Sequence, residues 1–173
     1  MIDATETPWT RGDLLITRAA LSEIERLAIA GYRAESEICG VLAGPSAEPR
    51  LCDRVVPIEN LAAALHERDP VAFPNSPRTF FVFHERTLAT AIRDGERRGS
   101  PVKVLYHSHL DVDAELSGAD QALLSRGTDA NATGSHDALG PGPAWPVAFL
   151  VTSVRGTPRG VLCDLHRLYS RTR

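Results

Sequence analysis

The run from Val102 to His107, VKVLYH, most constrains the fold, because a short apolar run of this kind is typical of a buried strand. A second histidine, His109, follows two positions after His107. Side chains two residues apart in a strand point to the same face. The sequence therefore predicts a sheet in which one strand presents two imidazoles, side by side, at its C-terminal end.

Segments on both sides of this run alternate between helical and strand-like patterns. Helices are predicted at residues 17 or 18 to 30, ending at Gly31, at 85–98, ending at Gly99, and at 117–125. Strands are predicted at 37–44, 50–58, 79–83, 102–107, 147–154 and 160–168, the last two as a hairpin. Residues 59–77 contain three prolines and read as a long loop. This alternation predicts an α/β domain with a mixed central β-sheet flanked by helices.

The length of 173 residues suits one domain with a core of its own. Residues 1–12 are expected to form a flexible N-terminal arm, and residues 13–173 a single domain. Residues 128–146 are rich in Gly, Asp, Asn, Ser and Pro, so they are expected to form an exposed insertion in that domain.

The composition excludes several classes of protein. Lys and Arg number 19 against 22 Asp and Glu, a net charge of −3, which argues against a nucleic-acid surface. Cys39, Cys52 and Cys163 form no CxxC pair, so a disulfide framework is not expected and a reducing compartment is. The N-terminus lacks the pattern of a secretory signal, and the apolar run at 144–154 is too short to span a bilayer. We expect a soluble, cytoplasmic protein with no membrane partner.

A carboxylate close to the histidines suggests a metal site. Asp120 lies at the start of the third predicted helix and can supply a third ligand to His107 and His109. Two imidazoles and one carboxylate suit zinc and leave a fourth coordination position open for water, as a hydrolytic site requires.

Each part of this pattern also has an alternative interpretation. Ser117 and Asp120 match the S-x-x-D capping box, which by itself only starts a helix. Histidines at a strand end are more often surface or hydrogen-bonded groups than ligands. The conjunction of all four residues favours the metal site, whereas Asp111, Asp113 and Glu115 are interpreted as solvated loop acids.

At these residues the chain resembles a known family. His107-Ser-His109, seven residues, then Ser117, two residues and Asp120 is similar to the H-S/T-H-x7-S-x2-D signature of JAMM (MPN+) zinc metalloproteases. The segment SEICGVLAG at 36–44 looks like the strand that carries the family's essential upstream glutamate, which corresponds here to Glu37. The resemblance covers about residues 13–168 and implies the cytidine-deaminase-like α/β/α fold of that family.

Two positions depart from the family pattern. Prokaryotic members commonly have proline after the second histidine, where this chain has Leu110, and the loop before the serine reads Ala-Glu-Leu at 114–116. Neither departure falls on a ligand, so the resemblance implies an intact site with a different loop shape.

The resemblance implies a role for each site residue. His107, His109 and Asp120 would hold Zn²⁺, and Glu37 would act as the general base. Ser117 would donate a hydrogen bond to the oxyanion of the tetrahedral intermediate.

The resemblance and the strand pattern also assign three residues near these five. Asn60, in the 59–77 loop, is a candidate substrate contact. Ser108 faces the other side of the strand and is expected to be structural. Cys39 is interpreted as a buried structural thiol rather than a nucleophile, because its strand is apolar.

The family cleaves peptide or isopeptide bonds that follow the C-terminal glycine of ubiquitin-like or sulfur-carrier proteins. The implied partners are such a protein, bound as an extended tail beside a strand edge, and E1/E2-like proteins of the same operon. A catalytically inert MPN-type scaffold and a zinc hydrolase of small-molecule amides are the alternatives. The presence of all five site residues argues against the scaffold.

Overall fold

The computed structural model describes residues 14–118, 120 and 148–169. The predicted N-terminal arm at 1–12 and the predicted insertion at 128–146 lie outside these residues. The chain divides into two units, one of residues 1–114 and 148–173 and one of residues 115–147. Of the predicted 117–125 helix, Ser117, Gly118 and Asp120 are described, and the last two are helical.

The larger unit contains three helices and seven strands among its described residues. In chain order these are β1 (Leu15–Ile16), α1 (Arg18–Arg33), β2 (Cys39–Ala43), β3 (Leu51–Cys52), β4 (Arg54–Ile58), α2 (Ala62–Arg68), α3 (Glu85–Arg97), β5 (Val102–Leu110), β6 (Ala148–Thr157) and β7 (Gly160–Tyr169). Five of the strands form one sheet in the order β4-β2-β5-β6-β7. Only the β5–β6 pair is parallel, so the sheet is mixed, as predicted.

Helix α1 covers one face of this sheet. The Thr17 hydroxyl caps its start by accepting a hydrogen bond from the Ala20 N–H at 3.1 Å. Ala20, Ile24 and Ala28 recur every fourth residue and are buried, which is the spacing of one helix face. Ala20 and Ile24 share a core cluster with side chains of β2, β5, β6 and β7, so the even-numbered side chains of β5 belong to this face.

The predicted helix end at Gly31 is wrong by a few residues, because α1 continues to Arg33. Gly31 serves close packing instead, since an added Cβ would lie 2.6 Å from Ile38 Cγ2 and 2.7 Å from the Ser36 carbonyl oxygen. The helix ends where the Ala34 N–H bonds back to carbonyls of its last turn and Glu35 takes a φ of 54°.

Two predictions for residues 59–83 are wrong. The predicted loop contains α2, and the predicted strand at 79–83 forms no strand. The side chain of Asn60 bonds to both segments. Its Oδ1 accepts hydrogen bonds from Ala62 N at 2.9 Å and Val82 N at 3.0 Å, so a side chain takes the place of a strand partner.

The other elements predicted within residues 14–114 and 148–169 are confirmed. The predicted 50–58 strand is interrupted at Asp53, which separates β3 from β4, and the 85–98 helix and the closing hairpin are observed with bounds shifted by one to three residues. Gly99, just after α3, has a φ of 65°, as a helix-ending glycine does. Among the described residues, no helix is both long and apolar enough to cross a membrane.

Candidate metal centre

The two histidines lie on β5, the central strand of the sheet, between β2 and β6. Both are buried, with 1% of His107 and 7% of His109 exposed. They point to the face opposite α1, as the two-residue period predicts, and their Nε2 atoms are 3.1 Å apart. Strand β5 thus presents two ring nitrogens to one point, as the sequence predicted.

A carbonyl group sets the orientation of the His109 ring. His109 Nδ1 lies 2.8 Å from the backbone oxygen of Asp113. A carbonyl oxygen only accepts hydrogen bonds, so Nδ1 must carry the hydrogen, and the lone pair of the neutral ring lies on Nε2. A metal-binding histidine is commonly held this way by its second nitrogen.

Aromatic rings hold the other imidazole. The His107 ring stacks on Phe81, with centroids 4.5 Å apart and planes at 26°, and meets the edge of Phe149 at 6.4 Å. These contacts restrict the ring's rotation and keep bulk water from its sides. Phe81 lies in the segment that was predicted to be a strand, so sequence reasoning placed the residue in the wrong element and missed this contact.

The donor set fits a zinc ion. The ligand atoms of His107, His109 and Asp120 lie within 4.8 Å of one another, and all three residues are buried. Two nitrogens bound to one tetrahedral zinc at about 2.0–2.1 Å would be about 3.3 Å apart, close to the spacing of the two Nε2 atoms. Two imidazoles and a carboxylate are borderline to hard donors, which suits zinc.

Ser117 and Asp120 also form the predicted capping box. The Ser117 N–H donates to Asp120 Oδ2 at 2.7 Å, and the Asp120 N–H donates to Ser117 Oγ at 3.1 Å. The Ser117 hydroxyl is the acceptor in this pair, so the bond does not consume its own hydrogen. The pair involves one of the two carboxylate oxygens, so capping and the predicted site roles are compatible.

Glu37 lies two residues before the start of β2. Cys39 is opposite His107 in the β2–β5 ladder, and the Ser108 N–H donates to the Ile38 carbonyl at 3.0 Å beyond the last pair of that ladder. Extended by one more step, this register would bring Glu37 opposite His109. Glu37 is 5% exposed, and its N–H donates to the Pro77 carbonyl at 2.7 Å.

Asn60 holds the backbone of Glu37 in place. Its Nδ2 donates to the carbonyl oxygens of Glu37 at 3.1 Å and Phe80 at 3.0 Å, in addition to the two bonds that its Oδ1 accepts. The structure thus places Asn60 beside the predicted base, whereas its predicted contact with a substrate stays a prediction.

The remaining groups near the histidines are structural. Ser108 Oγ accepts a hydrogen bond from Ile38 N at 3.0 Å on the face of α1, as predicted for a structural residue. Burial, with the charge of Glu37 as the second cause, raises the pKa of the Cys39 thiol to about 12. Cys39 Sγ also contacts the Ile58 carbonyl oxygen at 3.4 Å, so Cys39 is a protonated, buried thiol rather than a nucleophile.

The turn after His109 contains residues whose role the sequence did not reveal. Leu110, where the family pattern has proline, is buried with Ala28 and Val154 and extends β5 by pairing with Val154. Asp111 and Asp113 are not simply solvated acids, since both pair with arginines and the Asp113 carbonyl orients His109. The one available signal was a short acidic turn directly after the histidines.

Comparisons with known proteins agree with this fold. A family model described as prokaryotic homologs of the JAB domain matches residues 18–161. A solution structure of a protein from Desulfitobacterium hafniense is 22% identical, covers 86% of this chain and 88% of its own, and superposes with a TM-score of 0.51. One from Salinibacter ruber is 16% identical, covers 92% of this chain and 82% of its own, and gives a TM-score of 0.48. A search of curated proteins gave no match.

Proposed function

Because this chain belongs to the prokaryotic homologs of the JAB domain, we propose that it is a zinc-dependent hydrolase. Its reaction would be cleavage of a peptide or isopeptide bond after the C-terminal glycine of a ubiquitin-like or sulfur-carrier protein. The observation that carries the proposal is the buried group of His107, His109 and Asp120, whose ligand atoms lie within 4.8 Å of one another.

The metal would be held by His107 Nε2, His109 Nε2 and a carboxylate oxygen of Asp120. A zinc ion bound there would supply Lewis acidity for polarising the scissile carbonyl and for activating water. The protein's part is orientation and exclusion of water. The Asp113 carbonyl holds the His109 ring, Phe81 holds the His107 ring, and the buried surroundings strengthen electrostatic interactions within the site.

Glu37 is the residue proposed to move the proton. Its carboxylate would take a proton from the attacking water and deliver it to the departing amine nitrogen. Its position two residues before Cys39, which is opposite His107 in the β2–β5 ladder, and its burial support this role. The Ser117 hydroxyl would donate a hydrogen bond to the oxygen of the attacked carbonyl as negative charge develops on it.

The substrate class follows from family membership and from the depth of the site. Donor side chains that are less than a tenth exposed cannot be reached by the flat surface of a folded protein. A thin, extended tail can reach them, and glycines have no side chains to obstruct its entry. We therefore propose a substrate with a C-terminal glycine tail, supplied by E1/E2-like or sulfur-transfer proteins acting with this chain.

The test combines metal analysis with a cleavage assay on the full chain. Ubiquitin-like and sulfur-carrier proteins, each extended by a short peptide after the final Gly-Gly, are incubated with the zinc-loaded protein and analysed by mass spectrometry. We expect one zinc per chain and release of the peptide directly after the glycine. Matched substrates with Ala-Ala at the junction should be cleaved much more slowly.

Three results would contradict the proposal in different ways. Absence of bound zinc would favour the inert scaffold. Stoichiometric zinc without cleavage of any such substrate would favour an amide of another class. Equal cleavage of Gly-Gly and Ala-Ala junctions would contradict the proposed glycine tail alone.

A further inference from the structure

The chain reverses immediately after the histidines at a residue in a left-handed conformation. Asp111 has a φ of 60°, a region that non-glycine residues seldom adopt and that aspartate and asparagine tolerate best. Its N–H donates to the Val154 carbonyl at 2.8 Å, so the turn begins on the β5–β6 ladder. The φ of Asp111 and this hydrogen bond therefore fix the conformation of the turn at its first residue.

Three distant segments bond to the carboxylate of Asp111. The Tyr32 hydroxyl at the end of α1 donates to it at 3.0 Å, and the Gly156 N–H of β6 donates at 3.0 Å. The third partner is the guanidinium of Arg78.

The residues that follow are also held. Arg155 donates to the Asp111 carbonyl at 3.0 Å and pairs with the Asp113 carboxylate. Ser153, which is opposite His109 in the β5–β6 ladder, donates its hydroxyl to the Val112 carbonyl at 2.7 Å. All three residues from 111 to 113 are thus bonded, and the last of them provides the carbonyl that orients His109.

Arg78 connects the same carboxylate to the segment between α1 and β2, which contains Glu35 and Glu37. It forms ion pairs with Asp111 and Glu35 and lies 5.6 Å from the centre of the Tyr32 ring. Its neighbour Pro77 accepts the backbone hydrogen bond of Glu37. The Asp111 carboxylate is therefore linked to His109 through the turn of residues 111–113, and to Glu37 through Arg78 and its neighbour Pro77.

We propose that Asp111 is a positioning residue of the metal centre. Its carboxylate holds the turn that presents the Asp113 carbonyl to His109 Nδ1, and through Arg78 it holds the segment to which Glu37 is bonded. This inference rests on the proposed function, in which His109 is a metal ligand and Glu37 is the general base. Its consequence is that loss of the carboxylate weakens metal binding although Asp111 is not itself a ligand.

The experiment uses the full-length protein with Asp111→Gly and Asp111→Asn. Glycine accepts the left-handed φ without strain but removes every side-chain bond, whereas asparagine keeps an oxygen that can accept from Gly156 and Tyr32. Zinc affinity is measured by competition with a chromophoric chelator. Loss of an outer partner of a ligand typically weakens binding by about 10–100-fold, so we expect at least about tenfold for Asp111→Gly and a partial recovery for Asp111→Asn.

A second measurement needs neither zinc nor catalysis. The ¹⁵N signals of the His109 ring in metal-free protein, at about pH 8 where an ordinary histidine is neutral, report which nitrogen carries the hydrogen. We expect one tautomer, with hydrogen on Nδ1, in the wild type and a mixture in Asp111→Gly. Arg26→Ala is the control, because it removes an exposed ion pair with Glu23 on α1 and should change neither measurement.

Folded Asp111→Gly with zinc affinity within about twofold of wild type and the His109 tautomer retained would overturn the inference. If Asp111→Gly fails to fold, Tyr32→Phe decides, since it removes one donor to the same carboxylate. It should give a smaller loss of zinc affinity in the same direction, and no change would again overturn the inference. Wild-type protein that binds zinc but cleaves nothing would refute the proposed function and leave these results intact.

Discussion

The two faces of β5 bury polar side chains in opposite ways. On the face of α1, Ser108 Oγ accepts from the Ile38 N–H at 3.0 Å, and His166 lies between Thr152 at 2.9 Å and Glu25 at 3.1 Å, so these side chains find their partners within the protein. On the other face, His107 and His109 turn their Nε2 atoms towards each other at 3.1 Å. Two acceptor nitrogens at that distance repel each other unless a hydrogen or a cation lies between them.

The side chains of β5 that contribute to stability and those that could bind a metal therefore lie on opposite faces of the strand. Polar groups that are hydrogen-bonded within the protein rigidify the sheet. Tyr106 and Leu110 are buried in the hydrophobic clusters on the same face. Two ring nitrogens that converge from one strand belong to a group that could hold a metal ion. Substitutions on the face of α1 should therefore change the free energy of unfolding, and substitutions on the other face should change metal binding and turnover.

The largest effect is expected on the face of the histidines. Glu37→Gln keeps the size of the side chain but removes the proposed base, so kcat should fall by about 10²–10⁴-fold while zinc stays bound. His109→Ala should instead lose the metal, which elemental analysis of the purified protein would show. Near-native turnover by Glu37→Gln would refute the assigned role, and loss of zinc in that variant would make Glu37 a ligand rather than a base.

On the face of α1, a glycine gives the next largest effect. A Cβ added at Gly40 would lie 2.4 Å from the Val56 carbonyl oxygen and 2.5 Å from the Tyr106 hydroxyl. Gly40→Ala should thus lower the free energy of unfolding in urea by about 1–3 kcal/mol, with zinc stoichiometry unchanged. Gly118→Ala is the matched control, because its added Cβ meets nothing within 4 Å. An unchanged urea midpoint for Gly40→Ala would contradict this expectation, because it would mean that Val56 and Tyr106 move aside without loss of stability.

The sequence predicted what depends on local periodicity. The two-residue period of β5 correctly placed His107 and His109 on one face, where their Nε2 atoms are 3.1 Å apart. The start of the next predicted helix indicated Asp120, and the family signature added Glu37, which periodicity alone could not select. Each of these features can be read within a stretch of 14 residues or fewer.

Features that depend on long-range bonds were missed. The bonds from Asn60 to Phe80 and Val82 join residues 20 and 22 positions apart. They are found in the segment 79–83, where a strand was predicted and none forms. The bonds that hold Asp111 come from residues up to 79 positions away. No local pattern encodes such partners, so the supports of the site had to be found in the structure.

A smaller effect on the face of α1 is expected on acidification. Burial lowers the pKa of His166 from 6.5, although Glu25 and Asp164 oppose the shift. Between that lowered value and 6.5, the unfolded chain binds a proton that the folded protein does not, so stability falls as the pH decreases through this window and levels off below it. Urea unfolding as a function of pH should show this loss, and His166→Gln should reduce it. An equal loss in the variant would assign the effect to other groups.

The smallest effect distinguishes two hydroxyl groups on the same face of β5. Tyr106 is 1% exposed, and its hydroxyl oxygen has no hydrogen-bond partner in the part of the chain that the structure describes. Tyr106→Phe should therefore leave the free energy of unfolding unchanged or raise it by up to about 1 kcal/mol. Ser108→Ala, the matched control, leaves the Ile38 N–H without its acceptor and should cost about 1–3 kcal/mol. If Tyr106→Phe lowered the free energy of unfolding as much as Ser108→Ala, a water molecule would have to bond to the phenol hydroxyl. The face of α1 would then also contain a polar group whose partner comes from outside the protein.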